Sequence, residues 1–211
     1  MSESCTVSVA FREPYITHQA KQFLCNAKYD IACHFKYFTD ELPTKNGVFK
    51  DNIVSRFQES LYGFKPHAMQ HAIDSGMKKV IWLDPSVLPT VSMQVLIDAL
   101  DEHPLIIRSG EEPLAKMCNK KAKDWFGVTD EEIKNEKTCA GTIYGFNFAH
   151  PKAVEVFELW KRAEEEGIFG TQDDFMAGHW SDEACMGLAL YKCGAERFYP
   201  SEFRYLNQKE L

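Results

Sequence analysis

Two hydrophobic patterns alternate along the chain. Residues 5–11, Cys-Thr-Val-Ser-Val-Ala-Phe, carry large apolar side chains at 7, 9 and 11 with small residues between. That predicts a strand covered on both faces. Pro14 and Thr17 lead into a helical stretch reaching about residue 27, and residues 31–38 read as a second strand. Asp51 precedes apolar positions 53, 54, 57 and 61 and caps a predicted helix that Gly63 stops. Pro66 stands where a first helical residue belongs, which puts Lys65 at the N-cap of a helix running to Gly76. Val80-Ile81-Trp82-Leu83 is the continuous apolar run of a central strand. Residues 91–102 read as helix, 105–107 as strand and 142–148 as strand. Pro151 starts an amphipathic helix with core positions 153, 156, 157, 160 and 163, ended by Gly167. Ser181-Asp182-Glu183 opens a last helix that reaches Cys193 and stops at Gly194.

Residues 111–139 break this rhythm. They are charged, Lys-rich and weakly periodic, with Thr129-x-x-Glu132 as a capping box for a short helix. The segment reads as an insertion or flap in a single domain spanning residues 1–211. Strand and helix patterns otherwise alternate, with no internal repeat and no linker. The expectation is an α/β fold, a mostly parallel central sheet flanked by helices on both faces.

Composition narrows the partners. The 211 residues carry a formal charge of -7, with 45% hydrophobic and 26% charged residues, an ordinary globular composition. The densest basic run, Lys116 to Lys123, is followed by Asp130-Glu131-Glu132. Nucleic acid and anionic membrane surfaces are therefore disfavoured. No apolar run is long enough to span a bilayer, and residues 1–5 do not resemble a secretory signal. Seven cysteines at irregular spacing, without Cys-x-x-Cys, argue against a disulfide framework or zinc ribbon. They are expected to be reduced and mostly buried, which points to the cytoplasm.

Ligands of open α/β sheets bind beyond the carboxyl ends of the strands. Arg12 and Tyr15 follow the first strand, where a guanidinium can neutralise phosphate and a phenol can stack on a base. A surface ion pair and a core-edge tyrosine are the plainer reading. Lys65 beside unpaired helix N–H groups makes an anion site, or a solvated lysine. Asp84-Pro85-Ser86 ends the central strand with a carboxylate and a hydroxyl, suited to a hard divalent cation, or simply turns the chain. Farther on, Asp173, Asp174, His179, Trp180, Asp182 and Glu183 crowd together. Trp180 can face a pyranose, and a carboxylate can act as base or stabilise an oxocarbenium-like state. The same acids also suit a helix start. Glycine motifs of the Rossmann and P-loop types and the Gly-x-Ser-x-Gly elbow are absent.

Taken in order, these segments resemble the GT-A class of nucleotide-sugar glycosyltransferases. The run "YGFKPHAMQHAIDSGMKKVIWLDPSV" is similar to the class's helix and metal-motif strand. "AGTIYGFNFAHPKAVEVFELW" is similar to its acceptor-side strand and helix, and "HWSDEACMGLAL" to its late acidic helix start. The resemblance spans roughly residues 5–207. Within the class it points to N-terminal glycosyltransferase domains of multidomain chlorella-virus proteins that build capsid-protein glycans. That would imply further domains of a longer chain and a place in the host cytoplasm.

The resemblance implies that the Asp-x-Asp motif falls on Asp84-Pro85-Ser86, holding Mn2+ or Mg2+ and the donor diphosphate, with the Ser86 hydroxyl in place of the second acid. It implies nucleotide contacts at Phe11, Arg12 and Tyr15, and a phosphate-facing cation at Lys65. Asp182 or Glu183 becomes the key carboxylate near the transferred sugar. His179 and Trp180 fall on the sugar or acceptor side, and His179 is also the counterpart of a late metal-binding histidine; His150 reads as a helix cap. The expected reaction moves a hexosyl or deoxyhexosyl unit from a nucleotide sugar, most simply a UDP-sugar, to a saccharide or glycoprotein acceptor. Retention is favoured, because no general base stands near Asp84 in sequence. Two other readings remain open: a catalytically inactive sugar-binding or scaffolding domain, and a sugar nucleotidyltransferase. The latter should show a Gly-rich loop after the first strand, and "VAFREPYITHQ" contains no glycine.

Overall fold

The computed structural model describes residues 3–28, 34–37, 42–44, 47–49 and 60–208. The helix expected from Asp51 lies outside these residues as far as position 59. A five-stranded sheet runs through the molecule in the order β2 (His34–Tyr37), β1 (Ser4–Val9), β5 (Lys79–Leu83), β8 (Lys137–Asn147), β7 (Leu105–Pro113). Two short pairs stand apart from it: β3 (Leu42–Thr44) with β4 (Gly47–Phe49), and β6 (Val87–Pro89) with β9 (Tyr205–Asn207).

The expected mostly parallel sheet needs one correction. β1 pairs in parallel with β2 and with β5, but β8 is antiparallel to both β5 and β7. Four strands therefore point one way and β8 runs back between two of them. The reason lies in the chain between β7 and β8. Short helices α4 (Leu114–Met117) and α5 (Lys120–Phe126) and a turn over 129–135 return it to the same end of the sheet. No long crossover is then needed, and the returning strand has to be antiparallel.

β5 shows how side-chain alternation divides the core. Val80 and Trp82 enter the larger apolar cluster, and Ile81 and Leu83 enter the smaller one on the opposite face. The larger cluster takes Ala68, Met69 and Ala72 from α2 (Phe64–Asp74). It also takes Val156, Phe157 and Trp160 from α6 (Pro151–Glu165), and Leu188 and Ala189 from α8 (Ser181–Cys193). The smaller takes Leu96 and Leu100 from α3 (Gln94–Glu102). The remaining described helices are α1 (Tyr15–Lys28) and α7 (Gln172–Met176).

α6 follows its sequence pattern closely. Positions 153, 156, 157, 160 and 163 are buried, His150 caps it by accepting from Lys152 N at 3.2 Å, and Gly167 follows with φ 70°. α8 likewise ends on Gly194 in the left-handed region, φ 58°. Residues 111–139 carry Leu114, Ala122 and Ile133 into the larger core. Thr129 and Glu132 form the hydrogen bonds of the expected capping box, but the backbone there is turn, not helix. Six cysteines of the described residues are free thiols, five of them buried. Burial pushes Cys118 and Cys139 up to about 12, which keeps them protonated and unreactive. No described helix is long and apolar enough to cross a membrane.

Candidate active site

β1 and β5 are parallel neighbours, with Val7 paired to Trp82, so their carboxyl ends open on the same edge of the sheet. Beyond them lies a cleft with about 430 Å³ of empty space. Its wall combines the end of β1 and the chain after it (Val9, Ala10, Phe11, Arg12, Tyr15), Trp82 of β5 with Asp84 and Pro85 just beyond it, and Tyr62 and Phe64 around the start of α2. Asp84 follows Trp82 by two residues. A strand presents alternate residues to one face, so both belong to the face that carries the cleft. Phe11 meets Phe64 edge to face at 5.7 Å, and the Arg12 guanidinium lies 5.8 Å from the Phe11 and Tyr15 ring centres. Phe11, Arg12, Tyr15, Asp84 and Pro85 thus come together as one wall.

Asp84 is fixed by its turn. Its backbone N–H donates to Thr142 O of β8 at 2.8 Å, and its Oδ1 accepts from Ser86 N at 2.9 Å and Ser86 Oγ at 2.6 Å. Gln22 of α1 donates to the carbonyls of Asp84 and Val87. Ser86, the expected second ligand, lies against Asp84 with its hydroxyl directed to the carboxylate. It is 0% exposed and its hydroxyl orients Asp84 from behind. Among the described residues Asp84 Oδ2 makes no hydrogen bond, and no group of three His, Cys, Asp or Glu is poised to hold a metal. The protein offers one preoriented carboxylate oxygen in a half-buried position. That suits a hard cation which takes most of its ligands from a diphosphate and water, as Mg2+ commonly does.

Lys65 departs from the expected N-cap. α2 begins at Phe64 with Gly63 as N-cap, which places Lys65 inside the first turn. It is 3% exposed, and its ammonium meets Asp182 Oδ2 at 2.5 Å and Gly141 O at 3.0 Å. The rings of Tyr62, Trp82 and Tyr144 surround it, their centres 4.9–5.5 Å away. Apolar burial of the lysine stem and a buried acid partner together hold this charge behind the cleft wall.

The two late acids separate in role. Asp182 is 1% exposed; burial pushes its carboxyl up, while Lys65 and the Tyr144 hydroxyl oppose the shift. Glu183 is half-buried and accepts from Gly141 N at 2.8 Å. Burial first, then the neighbouring Asp182, push its carboxyl up to about 7. Glu183 and Asp84 hang from successive residues of β8, Gly141 and Thr142. The charges of Asp84, Asp182 and Glu183 all act on the Tyr62 phenol.

His179 does not join this group. It is 1% exposed, its Nε2 pairs with Ile168 O at 3.0 Å, and its Nδ1 accepts from Asn119 N at 3.4 Å. Both ring nitrogens thus meet backbone groups, at Ile168 and Asn119. Burial also pushes its pKa down. Trp180 is half-buried against the larger core, with its backbone N–H donating to Met117 O, at the N-cap of α8 and outside the cleft wall.

The sequence reading missed Tyr62, Phe64 and Trp82. Trp82 carried no signal beyond its apolar run. Tyr62 is marked only in three dimensions: it and Ser181 are the non-glycine residues of positive φ among those described, at 62° and 30°, and Ser181 precedes Asp182. Such backbones are uncommon and tend to cluster at functional sites.

Among solved structures the fold is similar to mouse xyloside xylosyltransferase 1 in its apo form, with a TM-score of 0.54 and 8% identity, covering 93% of this chain and 84% of that one. It is also similar to the bifunctional glycosyltransferase WbbM, with a TM-score of 0.51 and 9% identity, covering 93% of this chain. The match spans 39% of the WbbM chain. No protein-family model matches the chain, and no curated protein matches it in sequence. The architecture is that of the GT-A-type glycosyltransferases.

Proposed function

We propose that the protein transfers a glycosyl unit from a nucleoside diphosphate sugar to a saccharide acceptor at the cleft beyond β1 and β5. One observation carries this reading: Asp84 ends β5 with one carboxylate oxygen fixed by Ser86 and the other unbonded, in the wall of an aromatic cleft that also holds Arg12. The GT-A-type fold supports it, because this strand edge is where open α/β sheets bind ligands. The resemblance in sequence implies a UDP-sugar as donor and a glycoprotein as acceptor, and in its narrower form a viral capsid protein.

In this reading Tyr15 and Phe11 offer ring faces to the nucleotide, and Arg12 neutralises phosphate. Asp84 would hold Mn2+ or Mg2+, which when bound offsets the charge of the diphosphate leaving group. Lys65 acts from behind the wall, where it balances Asp182. Glu183, once ionised, places negative charge near the developing positive anomeric centre. Retention is the proposed stereochemistry: Asp84, the sole acid among the described residues of the cleft wall, is assigned to the leaving group, and Glu183, outside that wall, to electrostatic stabilisation and not to activating the acceptor.

The test is donor hydrolysis across a panel of nucleotide sugars with Mn2+, with and without a saccharide acceptor. Turnover that Asp84→Asn abolishes is expected. Saccharide binding without nucleotide affinity or turnover would instead identify a sugar-binding module, and an inverted product seen by NMR would remove the retaining assignment.

A further inference from the structure

Tyr62 is the cleft residue whose placement demands most from its surroundings. Its backbone is left-handed, φ 62°, without the freedom of glycine. A cluster from another helix holds the turn that carries it. Glu164 of α6 accepts from Ser60 Oγ at 2.7 Å through Oε1 and meets His67 Nε2 at 2.5 Å through Oε2. One buried carboxylate thereby grips the chain on both sides of residue 62. Gly63 fits because any Cβ there would collide with Ser60 Oγ and Glu164 Oε1. The turn is also pinned from outside, with Leu61 N donating to Gly170 O at 3.0 Å.

The place of the phenol points to the diphosphate: Tyr62 lines the same cleft wall as Arg12 and Asp84. It is a neutral hydroxyl in the wall that holds Asp84, able to donate to an anion without adding charge beside three carboxylates.

Building on the glycosyltransferase reading, we propose that Tyr62 is a donor-contacting residue whose O–H hydrogen-bonds a diphosphate oxygen, and that the Ser60–Glu164–His67 cluster is the brace that positions it. The test is calorimetric titration of wild type, Tyr62→Phe, Glu164→Gln and the double variant. The ligands are UDP, GDP, ADP, CDP and TDP, each with Mn2+, and the UDP-sugars. Tyr62→Phe should weaken diphosphate binding about tenfold or more, the scale of a lost hydrogen bond to a charged group, with unchanged melting temperature. The loss should be the same for a diphosphate and its sugar conjugates. Glu164→Gln should weaken binding alone and add nothing in the Tyr62→Phe background, which a merely structural role would not produce. Unchanged affinity in Tyr62→Phe, a loss seen only with sugar conjugates, or additive losses in the double variant would overturn the proposal while the functional reading stands. Failure of wild type to bind any of the diphosphates would remove both.

Discussion

The Lys65 ammonium and the Asp182 carboxylate meet at 2.5 Å with side chains 4% and 2% exposed. A pair this deep gains from mutual attraction but forfeits the hydration of both ions. Breaking it from one side leaves an uncompensated buried charge. Lys65→Met is therefore expected to destabilise the fold by about 3–5 kcal/mol, read from urea denaturation. Lys65→Met combined with Asp182→Leu should recover much of that loss, because no orphan charge remains.

Asp84→Asn separates charge from shape. The amide oxygen can still accept from Ser86, so stability should hold. The carboxylate is lost, so the gain in nucleoside diphosphate affinity on adding Mn2+ should fall by about tenfold or more, the order expected for a charge-assisted contact. Titration with and without Mn2+ checks this, and an undiminished Mn2+ effect would place the cation elsewhere.

Ser86→Asp asks whether a second acid would improve the site. Position 86 is 0% exposed, and the Ser86 carbonyl accepts from Gln208 N at 2.8 Å. A carboxylate there would be buried against Asp84. It should cost stability by several kcal/mol and leave metal binding no tighter. Ser86→Ala, which only removes the hydroxyl behind Asp84, should cost about 1 kcal/mol and weaken Mn2+-dependent binding modestly. Thermal melts paired with metal titrations separate the two effects.

Glu183 sets a pH dependence whose sign follows from its upward shift, from 4.5 to about 7. Between these values the unfolded chain binds fewer protons than the folded one. Stability from this group is thus full below pH 4.5 and falls as pH rises, until the folded carboxyl has ionised near pH 7. Glu183→Gln should flatten that portion of a melting-temperature profile. If the ionised form assists transfer, kcat/KM of the wild type should rise through pH 7, and the variant should lose this limb.

Much of the scaffold is legible locally. The helix from Pro151 can be read from its apolar spacing, because a helix with one face on a core must repeat its pattern within a few turns. The strand at 80–83 is legible for a similar reason: a strand covered on both faces is apolar throughout. The core contributions of 111–139 are not legible, since Leu114, Ala122 and Ile133 are scattered among lysines and acids. Within the cleft wall, Arg12, Tyr15 and Asp84 are legible because they lie in the segments that follow the ends of β1 and β5. Tyr62 follows no strand and belongs to no motif, and only its place in the cleft wall and its left-handed backbone mark it.

The sequence by itself determined where the central strand at 80–83 and the helices from Pro151 and Ser181 fall, that a carboxylate follows the central strand, and that acids open the last helix. These are properties of neighbouring residues, set by side-chain periodicity and capping. Tertiary structure alone decided that β8 runs back through the sheet and that Lys65 neutralises Asp182. It also decided that the Ser86 hydroxyl meets Asp84, that the His179 ring meets backbone groups of Ile168 and Asn119, and that Glu183 is the acid left half-buried. Each of these depends on groups far apart in the chain sharing a low-dielectric interior, where burial and the nearest opposite charge fix what a side chain can do.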